Sequence, residues 1–205
     1  EPGQEGQGLG LVGGGRRGPA TLLAGVARDT ANPHIGSDPS RPAAPRFAYT
    51  ADSVCRFDTS SAAVFVGVRP GEDALLATAW LVVGQPVSGV AVPIWVRAAS
   101  VPAEIAAAAG TSPMTAAFDE VRARLYPETR GELKKYIDAA ALRDPASSPV
   151  PRLVQVEEGN FARAVAALRQ WSGAPPAAAD AAALQNQIAR DTLAAVRALL
   201  TPPAR

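Results

Sequence analysis

Three apolar runs lie close together along the chain, at residues 61–68, 75–83 and 89–97. Each is about strand length and rich in Val, Ile, Phe and Trp, the residues that pack best on a pleated surface. Arg69-Pro70-Gly71-Glu72 separates the first two and suits a type II turn, with Pro fixing φ at the second position and Gly supplying a positive φ at the third. Gly84-Gln85-Pro86 breaks the next pair. The pattern predicts a three-stranded antiparallel meander over about residues 59–97. Its middle run is apolar at successive positions, so the alternation of a strand with one wet face is lost and both faces are expected to be covered. The helices predicted elsewhere suffice for one face only.

After the meander the period becomes helical. Residues 102–110 read as a short Ala-rich helix stopped by Gly110. Ser112-Pro113 is a start signal, and Met114, Ala117, Phe118, Val121 and Leu125 follow on one stripe. Thr129-Arg130-Gly131-Glu132 has the form of a capping box leading Leu133, Tyr136, Ile137 and Ala140, which predicts another helix. Val154, Phe161, Val165 and Leu168 define a further one closing near Trp171, with Glu157, Glu158, Arg163 and Arg169 as its solvated face. Residues 177–200, with Leu184, Ile188, Val196 and Leu199, form a final amphipathic helix after a Pro175-Pro176 hinge.

Upstream of the meander, residues 19–29 read as a short helix and the Pro-rich residues 32–46 as a surface loop. Residues 47–58 lead into the first strand. Residues 1–18 are Gly-rich; neither the phosphate-cradling loop nor the dinucleotide fingerprint has its strand-and-helix context there, so a flexible lead-in is expected. The chain thus divides into that lead-in, a domain over residues 19–173 with its sheet at about 59–97 and helices at about 102–172, and a C-terminal helix and tail over 174–205.

Composition narrows the function classes. A chain of 205 residues that is 47% hydrophobic holds one sizeable core. A net charge of +1, with both signs spread along the chain, argues against a nucleic-acid groove or a polybasic membrane patch. No run of about 18 apolar residues is present to span a bilayer. His34, the only histidine, has no ligand-spaced partners and is expected in a solvated loop, so neither metal nor cofactor is expected. Cys55, the only cysteine, is either a nucleophile beside Arg56 or, as free cysteines more often are, a small buried hydrophobe. The chain begins Glu1-Pro2 without Met or a signal peptide, which reads as a fragment or processed piece and leaves the compartment unknown.

A family resemblance covers about three quarters of the chain. It is carried by Ala27-Arg28-Asp29, by Arg56 with Thr59-Ser60-Ser61, and by Gly67-Val68-Arg69-Pro70-Gly71-Glu72. Thr78-Ala79-Trp80 with Gly84 and Pro86, and Val90-Ala91-Val92-Pro93-Ile94-Trp95-Val96, complete the sheet portion. Arg124-Leu125-Tyr126-Pro127 with Arg130, and Val156-Glu157-Glu158, fall in the helical part. In order and spacing these resemble the acyl-coenzyme A:6-aminopenicillanic acid acyltransferase and carcinine-hydrolase-like proteins, a branch of the N-terminal-nucleophile (Ntn) hydrolases. The resemblance implies an α+β fold: an antiparallel sheet with helices on one face, half of a four-layer αββα sandwich, followed by a helical tail.

Such enzymes cleave or transfer an amide-linked acyl group with a cysteine freed at a chain terminus, whose own α-amino group serves as base. In the family that cysteine belongs to the half preceding the matched segment. The resemblance therefore implies the C-terminal portion of an amidohydrolase or acyltransferase, inactive alone. Its partners would be the N-terminal, nucleophile-bearing half and a small-molecule amide or peptide substrate. Arg56, Thr59, Ser61 and Trp80 lie in or beside matched motifs and are candidate pocket wall, although strand packing explains each of them as well. Two alternatives stay open: an enzyme in which cleavage after Val54 unmasks Cys55 as nucleophile, and a non-catalytic α+β binding or assembly module whose exposed sheet face recruits a partner.

Overall fold

A computed structural model describes residues 18–131, 134–144, 146 and 148–201. The Gly-rich lead-in at residues 1–17, Glu132 and Leu133 of the expected capping box, and the tail after Thr201 lie outside those residues. The fold is α+β, with two small antiparallel sheets and five α-helices among the described residues. In chain order the elements are α1 (Pro19–Leu22), β1 (Phe47–Tyr49), β2 (Ser61–Val66), β3 (Thr78–Val83), β4 (Val92–Trp95) and α2 (Pro113–Leu125). They continue as β5 (Glu128–Arg130), β6 (Lys134–Asp138), α3 (Ala139–Arg143), α4 (Val150–Trp171) and α5 (Ala178–Leu200). None of the described helices is long and apolar enough to cross a membrane.

The expected meander is the sheet β2–β3–β4, with both pairs antiparallel. Its first turn is of the expected type: Glu72 N–H donates to the Arg69 carbonyl at 3.0 Å and Gly71 sits at φ 86°. Register sorts the side chains into two faces. Thr78, Trp80 and Val82 stand opposite Val66, Val64 and Ala62 on one side, with Trp95 and Pro93 facing Thr78 and Trp80 on the other strand. That face packs against the helices: Trp80 stacks on Phe161 of α4 at 3.8 Å between ring centroids, and Trp95 meets Trp171 edge-on at 5.0 Å. The opposite face carries Ser61, Ala63, Phe65, Ala79, Leu81, Val83 and Ile94, every one exposed or half-buried. Phe65 is 79% exposed, and on this face only Val92, opposite Leu81, is sealed.

The helical part matches expectation where the apolar stripe is long. Ser112 caps α2 by accepting from the Thr115 amide at 3.1 Å, and Met114, Ala117, Phe118, Val121 and Leu125 are all buried. The last helix, α5, packs against β4 and α2 and buries Ile188 and Val196 in the same core as the sheet.

Two expected helices are absent. Residues 102–110 form turns: a stretch this short has little cooperative helicity, and only Pro102 among its side chains is fully sealed. Residues 129–140 are not a helix with a capping box but the hairpin β5–β6 followed by α3. Gly131 sits at φ 54°, which ends any helix there and suits a hairpin turn. Adjacent Tyr136 and Ile137 point to opposite faces, the first half-buried and the second sealed. The strand β6 pairs with β1 on its other side, so the lead-in at residues 47–49 belongs to a second sheet, β1–β6–β5, with Ala48 and Ile137 facing inward.

Candidate functional site

The segment between β3 and β4, residues 84–91, is buried throughout. Gly89 is required there, because a Cβ would lie 2.5 Å from Val82 Cγ1. Its polar backbone is met by charged and amide side chains. Arg28 leaves the short π-helical turn Leu23–Ala27 and reaches under the loop. Its Nε donates to the Pro86 carbonyl at 2.9 Å and Nη2 to the Gly89 carbonyl at 3.1 Å. The same guanidinium forms a two-pronged pair with Glu157 of α4, at 2.7 Å to Oε1 and 2.6 Å to Oε2. Glu157 Oε2 also accepts from the Ala91 amide at 2.6 Å. Asn160 donates to the Ala91 carbonyl at 3.0 Å and to Thr192 Oγ1 of α5 at 2.9 Å.

Glu157 is therefore not on the solvated face of its helix, as its charge suggested, but 4% exposed and paired. It sits four residues before Phe161, on the buried stripe, and a carboxylate there requires a cation. This arrangement brings together two pieces of the family resemblance, Ala27-Arg28-Asp29 and Val156-Glu157-Glu158. All five contacts of the pair are structural, so it holds the loop.

Cys55 is fully buried beside this loop, its amide donating to the Asp29 carbonyl at 2.7 Å. Burial pushes its thiol up to about 11, outweighing the opposite pull of the Val87 amide and Arg28. Next to it, Gln85 is also fully buried, with Nε2 donating to the Arg56 carbonyl at 2.7 Å and to Tyr126 Oη at 2.9 Å. Burial likewise pushes the Tyr126 phenol up, to about 12. As folded, this cysteine has the environment of a packed hydrophobe and not of an activated thiolate.

The pocket candidates separate. Thr59 and Ser61 share an apolar groove of about 280 Å³ along the free edge of β2, between that strand and Leu22 and Val26. Thr59 is occupied in closing its own loop, donating to the Val54 carbonyl at 3.2 Å and accepting from the Arg56 amide at 3.0 Å. Ser61 opens β2 on the exposed face. Trp80 lies on the helix-covered face, stacked on Phe161. Arg56 points outward beside Asp58, at 3.7 Å. His34 is exposed in the Pro-rich loop. A larger depression of about 370 Å³ lies between the start of α2 and the end of α5, away from all of these.

Residues that the sequence reading did not single out as site members hold this loop: Arg28, Gln85, Glu157 and Asn160. For Glu157 and Asn160 the signal was present as polar residues on the buried stripe of α4, Glu157 four residues before Phe161 and Asn160 directly before it. Among the described residues, no three His, Cys, Asp or Glu side chains come together as a metal site. Compared with known proteins, the chain matches no family model, no curated protein and no solved structure.

Proposed function

We propose that this chain is the C-terminal portion of an amidohydrolase or acyltransferase of the N-terminal-nucleophile type, supplying one sheet of an αββα sandwich and the helices outside it. The observation that carries the reading is the asymmetry of β2–β3–β4: among the described residues, helices seal one face, while the other is left exposed or half-buried and, apart from Ser61, is wholly apolar. Monomeric proteins seldom expose such a patch, and a second sheet packed about 10 Å away is its natural cover. The nucleophile and its α-amino base come, in this reading, from the half that precedes the chain. The buried Cys55 is consistent with that division, since a thiol held protonated is a poor nucleophile.

The open face equally favours a second reading, a non-catalytic module that uses it for assembly. One experiment separates the two. The chain is produced alone and together with the polypeptide encoded immediately upstream of Glu1, and amide hydrolysis is measured in both. Activity confined to the pair, and retained in Cys55→Ala, is the expected result. A stable pair without activity favours the assembly module. Activity of the chain alone that Cys55→Ala abolishes overturns the reading in favour of a nucleophile unmasked by cleavage after Val54, which an intact-mass measurement would also reveal.

A further inference from the structure

The two edges of β2–β3–β4 are finished differently. At the β4 edge, buried side chains bond the outward backbone: Gln185 Oε1 accepts from the Trp95 amide at 2.9 Å, and Glu157 and Asn160 take the amide and carbonyl of Ala91. At the β2 edge the cover is apolar contact alone. Residues 19–27, made of α1 and the π-helical turn Leu23–Ala27, pack alongside β2. Among the described residues, nothing in that segment hydrogen-bonds to the backbone of Ser61–Val66.

Natural edge strands carry a charge, a proline or a bulge, or lie under a helix or loop. β2 reads Ser-Ala-Ala-Val-Phe-Val, with no charge and no proline, and its six-residue register with β3 runs without a bulge. The helical segment is therefore the protection this strand has among the described residues. It is fastened on the side away from the strand: Leu23 is fully buried, and Arg28 just beyond is bonded to Pro86, Gly89 and Glu157. On the strand side the 280 Å³ groove remains, with Leu22 and Val26 facing Ser61 to Val64 across it. The segment shields the edge without completing the sheet.

From these observations we infer that residues 19–27 are an edge guard, an intramolecular contact that keeps β2 from pairing with β2 of a second copy of this chain. The inference stands independently of the enzyme reading. The groups shielded at the edge are backbone amides and carbonyls in series, which another extended backbone satisfies. A second copy of β2 is a fitting partner, because the strand has no charge with which to repel itself and antiparallel pairing about a two-fold axis joins identical strands. The first charges beyond its two ends are Asp58 and Arg69, so antiparallel pairing brings opposite charges toward each other at both ends. With the guard lifted, the three-stranded sheets of two copies join into one.

Two variants of the full chain release the guard and leave β2 intact. Leu23→Asp makes the buried anchor untenable, and Ala24→Pro, at an exposed position, breaks the helical turn without burying a charge. Sedimentation and residue-resolved hydrogen exchange read the outcome over a range of concentrations. The parent chain should stay monomeric. A released variant should sediment at about twice the parent mass, with alternate amides of β2 slowed at least about tenfold as concentration rises. Adding Ala63→Lys, at an exposed position of β2, should restore the monomer. A folded variant whose residues 19–27 exchange freely but which remains monomeric overturns the inference. So does a dimer whose β2 amides stay unprotected, or a parent chain that already pairs through β2. If neither variant frees residues 19–27 without unfolding the chain, the segment belongs to the core and is not a guard.

Discussion

Trp80 and Phe65 are large aromatic residues on adjacent strands of one sheet, yet they occupy opposite situations. Trp80 is 3% exposed under α4, and Phe65 is 79% exposed on the other face. Burial of an aromatic side chain is a major source of stability, and exposure of one has no folding benefit. The closed face thus explains how the chain holds together. The open face contributes far less to that burial.

The contrast can be broken most severely from the closed side. Trp80→Ala removes the ring stacked on Phe161 and is expected to cost about 3 to 5 kcal/mol, measured by denaturant unfolding. Glu157→Gln should fall in the same range, on the order of 3 to 5 kcal/mol, because it leaves the Arg28 charge buried without its partner. Either variant unfolding like the parent chain would mean that the helices do not seal the sheet as described.

Alkaline titration has an intermediate effect. Cys55 and Tyr126 are held neutral by burial, with pKa values raised from 9.0 to about 11 and from 10.0 to about 12. Raised values mean that the folded state binds these protons more tightly than the unfolded state. Their contribution is complete below about pH 9, where both groups are protonated in either state, and is lost as pH rises through 11 and 12. Each is worth about 2 to 3 kcal/mol. Unfolding free energies measured across this window should fall, and Cys55→Ala should remove the earlier part of the fall. A flat profile in the parent chain would place the thiol and phenol in solvent.

The smallest expected effect is the most telling for the comparison. Phe65→Ala should leave the stability of the lone chain within about 0.5 kcal/mol of the parent, since its ring packs on little. A loss approaching that of Trp80→Ala would show that the second face is already covered within this chain.

Long apolar stripes and turn chemistry made much of this architecture legible in sequence. The meander, its Gly71 turn and the buried face of α2 follow directly from apolar spacing, Pro and Gly. The second sheet was hidden because Thr129-Arg130-Gly131-Glu132 imitates a helix cap, and only the pairing of β6 with β1, some ninety residues earlier in the chain, selects the strand. The clamp on residues 84–91 was hidden for a related reason. Arg28 and Glu157 are 129 positions apart, and charge alone places such residues on a surface. Of the residues the sequence suggested as pocket wall, Thr59 and Ser61 line one groove, whereas Trp80 faces the helices.

The central claim, that the open face of β2–β3–β4 is built to be covered by a second sheet, is tested most directly by thiol labelling of Phe65→Cys. The native Cys55 is buried and protonated, so the introduced thiol supplies the signal. It should label like a free thiol in the chain alone and at least about a hundredfold more slowly in the complex with the upstream polypeptide. Rapid labelling that persists in that complex would contradict the claim.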